Sequence, residues 1–151
     1  MDAIDRAIII ELQRNGRLSN IELADRVGLT ASPCLRRVKQ LETSGVIRGY
    51  TARIDPDAIG RSYEPLVWVT LSRVTRESLS EFENEVQVID DVVEAMRMMG
   101  QPDYLLRIAT ADADSFETLY MDHLAVLPHV HTLTSQLAMK TVKRSHSVPP
   151  R

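Results

Sequence analysis

The sequence predicts an α+β protein in two parts, an N-terminal helix-turn-helix joined to a C-terminal ferredoxin-like sandwich. Three observations predict it. Short helical patterns with recognisable caps fill residues 1–45. Residues 64–142 run in the order β-α-β-β-α-β. Between the two, Asp55-Pro56 and Gly60 interrupt the chain. The domains are accordingly 1–60, a helix-turn-helix with a linker strand, and 61–151, the sandwich.

Ile4, Ile8 and Leu12 recur at helical spacing, and Asn15-Gly16 stops that first helix. Ser19, with Glu22 three residues on, makes a capping box for a second helix that buries Leu23, Ala24 and Val27 and ends at Gly28. Thr30 or Ser32 caps a third helix. Pro33 is tolerated in its first turn, where an N–H would have no intrahelical partner. Gly45 supplies the left-handed residue after its last turn. A tight turn at Gly28 between the second and third helices is the helix-turn-helix layout. "VIRGYTARI" (46–54) reads as extended and is expected to add a strand across a dimer.

In the second part, "EPLVWVTLSR" (64–73) is a strand, and "RESLSEFENEVQVI" (76–89) is a helix with Leu79, Phe82 and Val86 on one face. "DVVEAMRMM" (91–99) and "YLLRIAT" (104–110) are strands joined by "GQPD". "ADSFETLYMDHLAVL" (113–127) is a helix with Phe116, Leu119, Tyr120 and Leu124 inward, and "HVHTLTSQLAMKTV" (129–142) is a last strand. "LVWV" is apolar on both faces, which predicts cover for the outer sheet face and so at least a dimer. The tail "KRSHSVPPR" is expected to be mobile.

Of the 151 residues, 44% are hydrophobic and 26% charged, the profile of a soluble globular protein. No apolar run approaches the length of a membrane span. "MDAIDRAIII" has no basic region ahead of its apolar part, so no secretory signal is read there. Cys34 is the single cysteine, and no intrachain disulfide can form. Both points fit a cytoplasmic location. Net charge is −3, unevenly spread: residues 1–61 carry 10 Lys+Arg against 8 Asp+Glu, whereas 62–151 carry 8 against 13. A slightly basic first part and an acidic second part suggest two jobs.

The third helix is the informative one. Leu35, Val38 and Leu41 form an apolar face, with Cys34 beside them. Arg36, Arg37 and Gln40 fall opposite, Ser32 leads them and Lys39 flanks them. No acid appears before Glu42. A solvated helix face usually mixes charge signs, whereas this one suits a polyanion, with arginine able to read a guanine edge and lysine to hold phosphate. Thr30, Ser32, Arg36, Arg37, Lys39 and Gln40 are the candidate DNA-binding residues. A purely solvated basic face is the other reading of the same residues.

"NGRLSNIELADRVGLTASPCLRRVKQLETSGVIRGYTARIDPDAIG", "MGQPDYLLRI" and "AMKTVKRSHSVP" together resemble the Lrp/AsnC family of feast/famine transcriptional regulators, over nearly the whole chain. The resemblance implies a winged helix-turn-helix that binds double-stranded DNA and a ligand-sensing second domain. It implies an amino acid or related small molecule as effector, and homodimers assembling further, often to octamers. It calls for no cofactor, no membrane and no enzymatic activity. The alternative is a haem-precursor decarboxylase on the same two-domain build, against which the cationic third helix argues.

Gly100-Gln101-Pro102-Asp103 joins two strands. By residue type alone it reads as an ordinary hairpin turn. Gly100 also lets the backbone approach closely, and Asp103 offers a carboxylate for an ammonium. The resemblance implies an effector pocket around this turn, at a junction between dimers. Met99, Gly100, Gln101, Asp103 and Tyr104 are its candidate residues, with Ser135 of the last strand a weaker one. The family often has Thr before that glycine. Met99 removes a hydroxyl and points to an apolar or sulfur-containing ligand. His123, His129, His131 and His146 cluster late, and His129 and His131 would share a strand face. No carboxylate or cysteine at ligand spacing completes a metal site, and surface histidines are the plain reading.

Overall fold

The computed structural model describes residues 1–143; the tail expected to be mobile, His146 included, lies beyond them except for Lys143. The chain forms two compact units, Met1–Arg53 and Ile54–Val142, with Lys143 grouped with the first.

Among its described residues the first unit has three helices: α1 (Ala3–Arg14), α2 (Asn20–Arg26) and α3 (Ala31–Thr43). Asp2 caps α1 in a reciprocal box with Asp5, and Ser19 caps α2 in one with Glu22. Gly28 and Gly45 both adopt left-handed backbone, with φ of 69° and 74°, which lets the chain leave α2 and α3 without a Cβ clash. Thr30 is the N-cap of α3, but its hydroxyl makes no capping bond. Ile8, Leu23, Ala24, Cys34 and Leu41 are the buried core.

That core corrects the apolar face expected of α3. Cys34 and Leu41 are buried and Val38 packs on them, whereas Leu35 is 43% exposed. Positions 34, 38 and 41 span a narrower arc at about 100° per residue than 35, 38 and 41 do, so the tighter stripe faces α1 and α2. Residues 46–54 form no strand; Ile47 instead packs on the helical core.

The second unit opens with a 3₁₀ turn (Asp57–Ile59), followed by β1 (Pro65–Leu71), α4 (Arg76–Val86), β2 (Val92–Arg97), β3 (Tyr104–Ile108), α5 (Ala113–Leu119), a π-helical turn (Tyr120–Leu124) and β4 (Val130–Leu137). The sheet order is β2-β3-β1-β4, and every neighbouring pair is antiparallel. This is the expected ferredoxin-like arrangement. Strict alternation along β1 buries Val67, Val69 and Leu71 against Phe82, Val86, Leu119 and Leu124. Each such apolar side chain contributes about 1.5–3 kcal/mol when fully buried.

β1, α4, β2 and β3 each end a few residues short of their expected bounds, and β4 and the last helix depart from theirs for reasons the structure shows. β4 stops at Leu137, paired to Pro65 at the start of β1, where proline has no N–H with which to extend the ladder. The helix over 113–127 widens at Tyr120, and the Ala125 N–H donates to the Tyr120 carbonyl at 2.8 Å. That five-residue closure brings both Leu119 and Leu124 into the core.

Candidate functional site

α3 is set after the Gly28 turn by a bond from outside itself. The Asn20 Nδ2, at the start of α2, donates to the Ala31 carbonyl at 2.7 Å. Ser32, Arg36, Lys39 and Gln40 are exposed on its outer side, together with Leu35. Among the described residues neither Arg36 nor Lys39 has an acidic partner. With no acid in its first turn, and a Thr30 hydroxyl that leaves the leading amides open, this end of α3 keeps its positive dipole for an outside anion.

Arg37 departs from the expected face. Its Nη1 donates to Asp2 Oδ2 and to Asp5 Oδ1, both at 2.7 Å, and the side chain is 26% exposed. At helical spacing it borders the Cys34/Val38/Leu41 stripe, so it reaches back to α1 and not outward. Bonds from the Asp5 amide and from Arg37 hold the Asp2 carboxyl below the usual carboxylate range. The signal for this tie was the pair Asp2 and Asp5, spaced as a cap that leaves two carboxylate oxygens over.

The second candidate region is the turn between β2 and β3. Gly100 has φ of 100°. Asp103 extends the sheet: its N–H donates to Val69 O at 2.9 Å, its carbonyl accepts from Met98 N at 2.7 Å, and its Oδ2 accepts from Leu71 N at 2.8 Å. The carboxylate is therefore half engaged in closing the end of β1. Gln101 and Pro102 border a hollow of about 440 Å³ with Trp68, Thr70 and Thr134 on the outer sheet face. Trp68 is fixed there by its Nε1, which donates to Gln136 Oε1 at 3.0 Å. None of the lining side chains is charged.

Two expected residues lie on the other face. Tyr104 is buried with the helices, its ring 4.5 Å from Phe82 and its hydroxyl donating to Glu83 Oε1 at 2.8 Å. Burial first, and then Glu83, push its pKa up to about 12. Arg97 Nε reaches the same oxygen at 2.8 Å, and Arg97 then Tyr104 hold the Glu83 carboxyl below the usual range. Ser135 pairs with Val67 and so shares the helix-covered face, while its neighbour Thr134 faces the hollow. Met99 is fully exposed. Trp68, Thr70, Pro102 and Thr134 were missed; the alternation of β1 and the register with β4 are what bring them together.

His129 and His131 do not share a strand face. His129 lies ahead of β4 with φ of 64°, and its Nε2 is 2.5 Å from Glu81 Oε2. Among the described residues no group of three or more His, Cys, Asp or Glu side chains could hold a metal ion, and no helix is long and apolar enough to cross a membrane.

Residues 1–48 match the family described as winged helix-turn-helix DNA-binding, and residues 65–148 match the Lrp/AsnC ligand binding domain. The leucine-responsive regulatory protein of Escherichia coli K12 is 38% identical over 146 residues, covering 97% of this chain and 89% of that protein. A transcriptional regulator of Neisseria meningitidis, solved as a complex with L-Met, is 34% identical with a TM-score of 0.93, covering 99% of this chain and 96% of that one. An AsnC family regulator of Agrobacterium tumefaciens is 33% identical with a TM-score of 0.92, over 99% and 97%. These relatives are transcriptional regulators, and the decarboxylase alternative finds no support among them. Having both matched domains in order and at this level of identity, the chain belongs to the Lrp/AsnC family, as a DNA-binding transcriptional regulator with an amino-acid-binding domain.

Proposed function

We propose that α3 reads an operator in the major groove through Ser32, Arg36 and Gln40, while Lys39, Thr30 and the leading amides of α3 hold phosphate. The observation that carries this is the outer face of α3 from Ser32 to Gln40, which holds no acid and on which Arg36 and Lys39 stand exposed and unpaired among the described residues. Arg37 contributes through its bonds to α1. The division of labour follows the domains read from the sequence: residues 1–60 bind DNA, and residues 61–151 sense the ligand and mediate assembly in the cytoplasm.

The effector is an α-amino acid with an uncharged, apolar or sulfur-containing side chain, held at the Met99–Asp103 turn. Amides around Gly100 meet its carboxylate, and the free oxygen of Asp103 meets its ammonium. The side chain enters the neutral hollow beside Gln101, since burying a charge there would lack compensation. Tyr104 supports the turn from the helix side, and Ser135 sits behind it. The L-Met held by the Neisseria relative agrees with this ligand class. Homodimers assemble further, to octamers, and the pocket is completed at a junction between dimers.

Thermal unfolding with a panel of free amino acids tests the effector, because a ligand bound only by the native state raises the midpoint by mass action. L-Met or L-Leu should raise it, and Asp or Lys should not. No shift with any amino acid would remove this assignment. Light scattering with and without the active ligand tests assembly, and a monomer at micromolar concentration would contradict it.

A further inference from the structure

We propose that Arg37 is the positioning residue of the DNA-reading helix: clamped by Asp2 and Asp5 of α1, it fixes the roll of α3 and so the direction in which Arg36, Lys39 and Gln40 point. This rests on the reading that α3 is the reader, and goes beyond it by assigning the origin of its aim.

The clamp is built from what a helix cap leaves over. The Asp5 N–H donates to Asp2 Oδ1 at 2.9 Å and the Asp2 N–H to Asp5 Oδ2 at 3.1 Å. The two remaining oxygens, Asp2 Oδ2 and Asp5 Oδ1, are the ones that meet Arg37 Nη1. One cation therefore offsets the repulsion between two carboxylates three residues apart, and the capping box and the clamp hold each other in place. An Asn at either position would keep one acceptor and turn the other oxygen into an NH2 donor, so the network needs both oxygens of each carboxylate as well as their charge.

A second set of observations says why α3 needs it. Its apolar stripe is narrow, consisting of Cys34, Leu41 and a half-buried Val38, and Leu35 adds nothing because it is exposed. A narrow stripe permits roll about the helix axis. Polar ties resist that roll at three points: Asn20 on the Ala31 carbonyl at the start, Arg37 on α1 in the middle, and the Tyr50 hydroxyl donating to Glu42 Oε1 at 3.0 Å near the end. Arg36 is the neighbour of Arg37, about 100° around the axis. Any swing that lets Arg37 go turns Arg36 by the same angle, away from the base edge it reads. The clamp also removes Arg37 from the charge α3 offers to DNA, leaving Arg36 and Lys39.

The wild-type protein first selects a duplex from a random-sequence pool. Full-length wild type, Arg37→Gln, Asp5→Asn, the double variant and Arg36→Ala are then titrated with that duplex and with a scrambled one over a range of salt, and circular dichroism checks folding. The clamp predicts that Arg37→Gln and Asp5→Asn each lower the selected-to-scrambled affinity ratio about tenfold, within the discrimination carried by one bidentate base contact. The salt slope should stay unchanged, and the double variant should be no worse than either single one, because both changes break one network. If Arg37 touched DNA, Asp5→Asn would bind as well as wild type or better, and Arg37→Gln would flatten the slope by about one. That result, or an equal loss on both duplexes at constant ratio, overturns the proposal. Should Arg37→Gln not fold, Asp5→Asn and Arg37→Lys carry the same test. Wild-type binding by Arg36→Ala together with Lys39→Ala would instead remove α3 as the reader, a separate failure.

Discussion

The first unit packs Ile8, Leu23, Ala24, Cys34 and Leu41 between three short helices, whereas the second packs Val67, Val69, Phe82, Tyr104, Leu106, Ile108 and their neighbours between a four-stranded sheet and its helices. Their orientation is set by different physics. In the second unit a hydrogen-bond ladder fixes register, and a one-residue slip would move every side chain to the wrong face. Among the described residues of the first there is no ladder, and a helix resting on a small apolar stripe is aimed by side-chain ties. The candidate DNA contacts sit on the helix so tied, and the candidate effector contacts on a turn that Asp103 fastens to the ladder. Where the core is small, polar groups set geometry as well as chemistry.

The largest expected effect breaks one core and spares the other. Ile8→Ala empties the centre of the first unit and Phe82→Ala that of the second, and both residues are fully buried. Losses of about 2–5 kcal/mol for Ile8→Ala and about 3–5 for Phe82→Ala are expected. Ile8→Ala should abolish DNA binding and leave amino-acid binding intact, and Phe82→Ala should do the reverse to the ligand. Limited proteolysis with fragment mass spectrometry reports which unit opened. Cleavage throughout both units in either variant would show that they unfold as one.

The next effect bears on the turn. Asp103→Asn keeps an oxygen for the Leu71 N–H and removes the charge. It should cost roughly 1.5–3 kcal/mol of amino-acid affinity by calorimetry, the range for charge-assisted bonds, while the melting point stays nearly unchanged. Equal affinity in both proteins takes the carboxylate out of the site.

On the helix, Arg36→Ala should weaken selected DNA by about 1–3 kcal/mol without loss of fold. Lys39→Ala should weaken selected and scrambled DNA alike and reduce the salt slope by about one. Wild-type behaviour of both would move DNA reading off α3.

Particular residues show what a sequence carries locally and what it does not. Ser19 with Glu22, Gly28 and Gly45 announce helix ends because a cap acts over three or four residues. The β-α-β-β-α-β order was legible from periodicity and turn residues. The choice between Leu35 and Cys34 as the inner residue of α3 was not, since both fit a helical period and the answer lies in where α1 and α2 pack. Arg37 finds partners 32 and 35 residues away, a distance no local pattern reports. Ser135 and Thr134 trade faces on a single step of register, which pairing with β1 decides. Trp68 joins the candidate site through the same pairing.

The smallest effect at neutral pH lies beneath the candidate effector turn, where Tyr104 and Arg97 converge on Glu83 Oε1. Both ends of the pH scale should release this knot. The carboxyl of Glu83 is held below its usual 4.5, chiefly by Arg97 and then by Tyr104. The native state therefore binds its proton more weakly than the unfolded chain does. The resulting stability is present above that pKa and is lost as pH falls through the depressed value. Tyr104 is displaced the other way, from 10.0 up to about 12. Its contribution is present below pH 10 and is lost as pH rises from there towards 12, because the unfolded phenol ionises first. Denaturant midpoints across pH should fall at both ends. Glu83→Gln should flatten the acid arm, and Tyr104→Phe the alkaline one. Absorbance near 295 nm follows phenolate directly, and Tyr104 should ionise late while the fold persists. The first unit has alkaline counterparts of its own: burial raises the Cys34 thiol in its core, and burial and then Glu42 raise the Tyr50 phenol. Tyr50→Phe removes that second raised phenol, so an alkaline loss of midpoint unchanged by Tyr104→Phe in that background would place it elsewhere and leave the turn without this support.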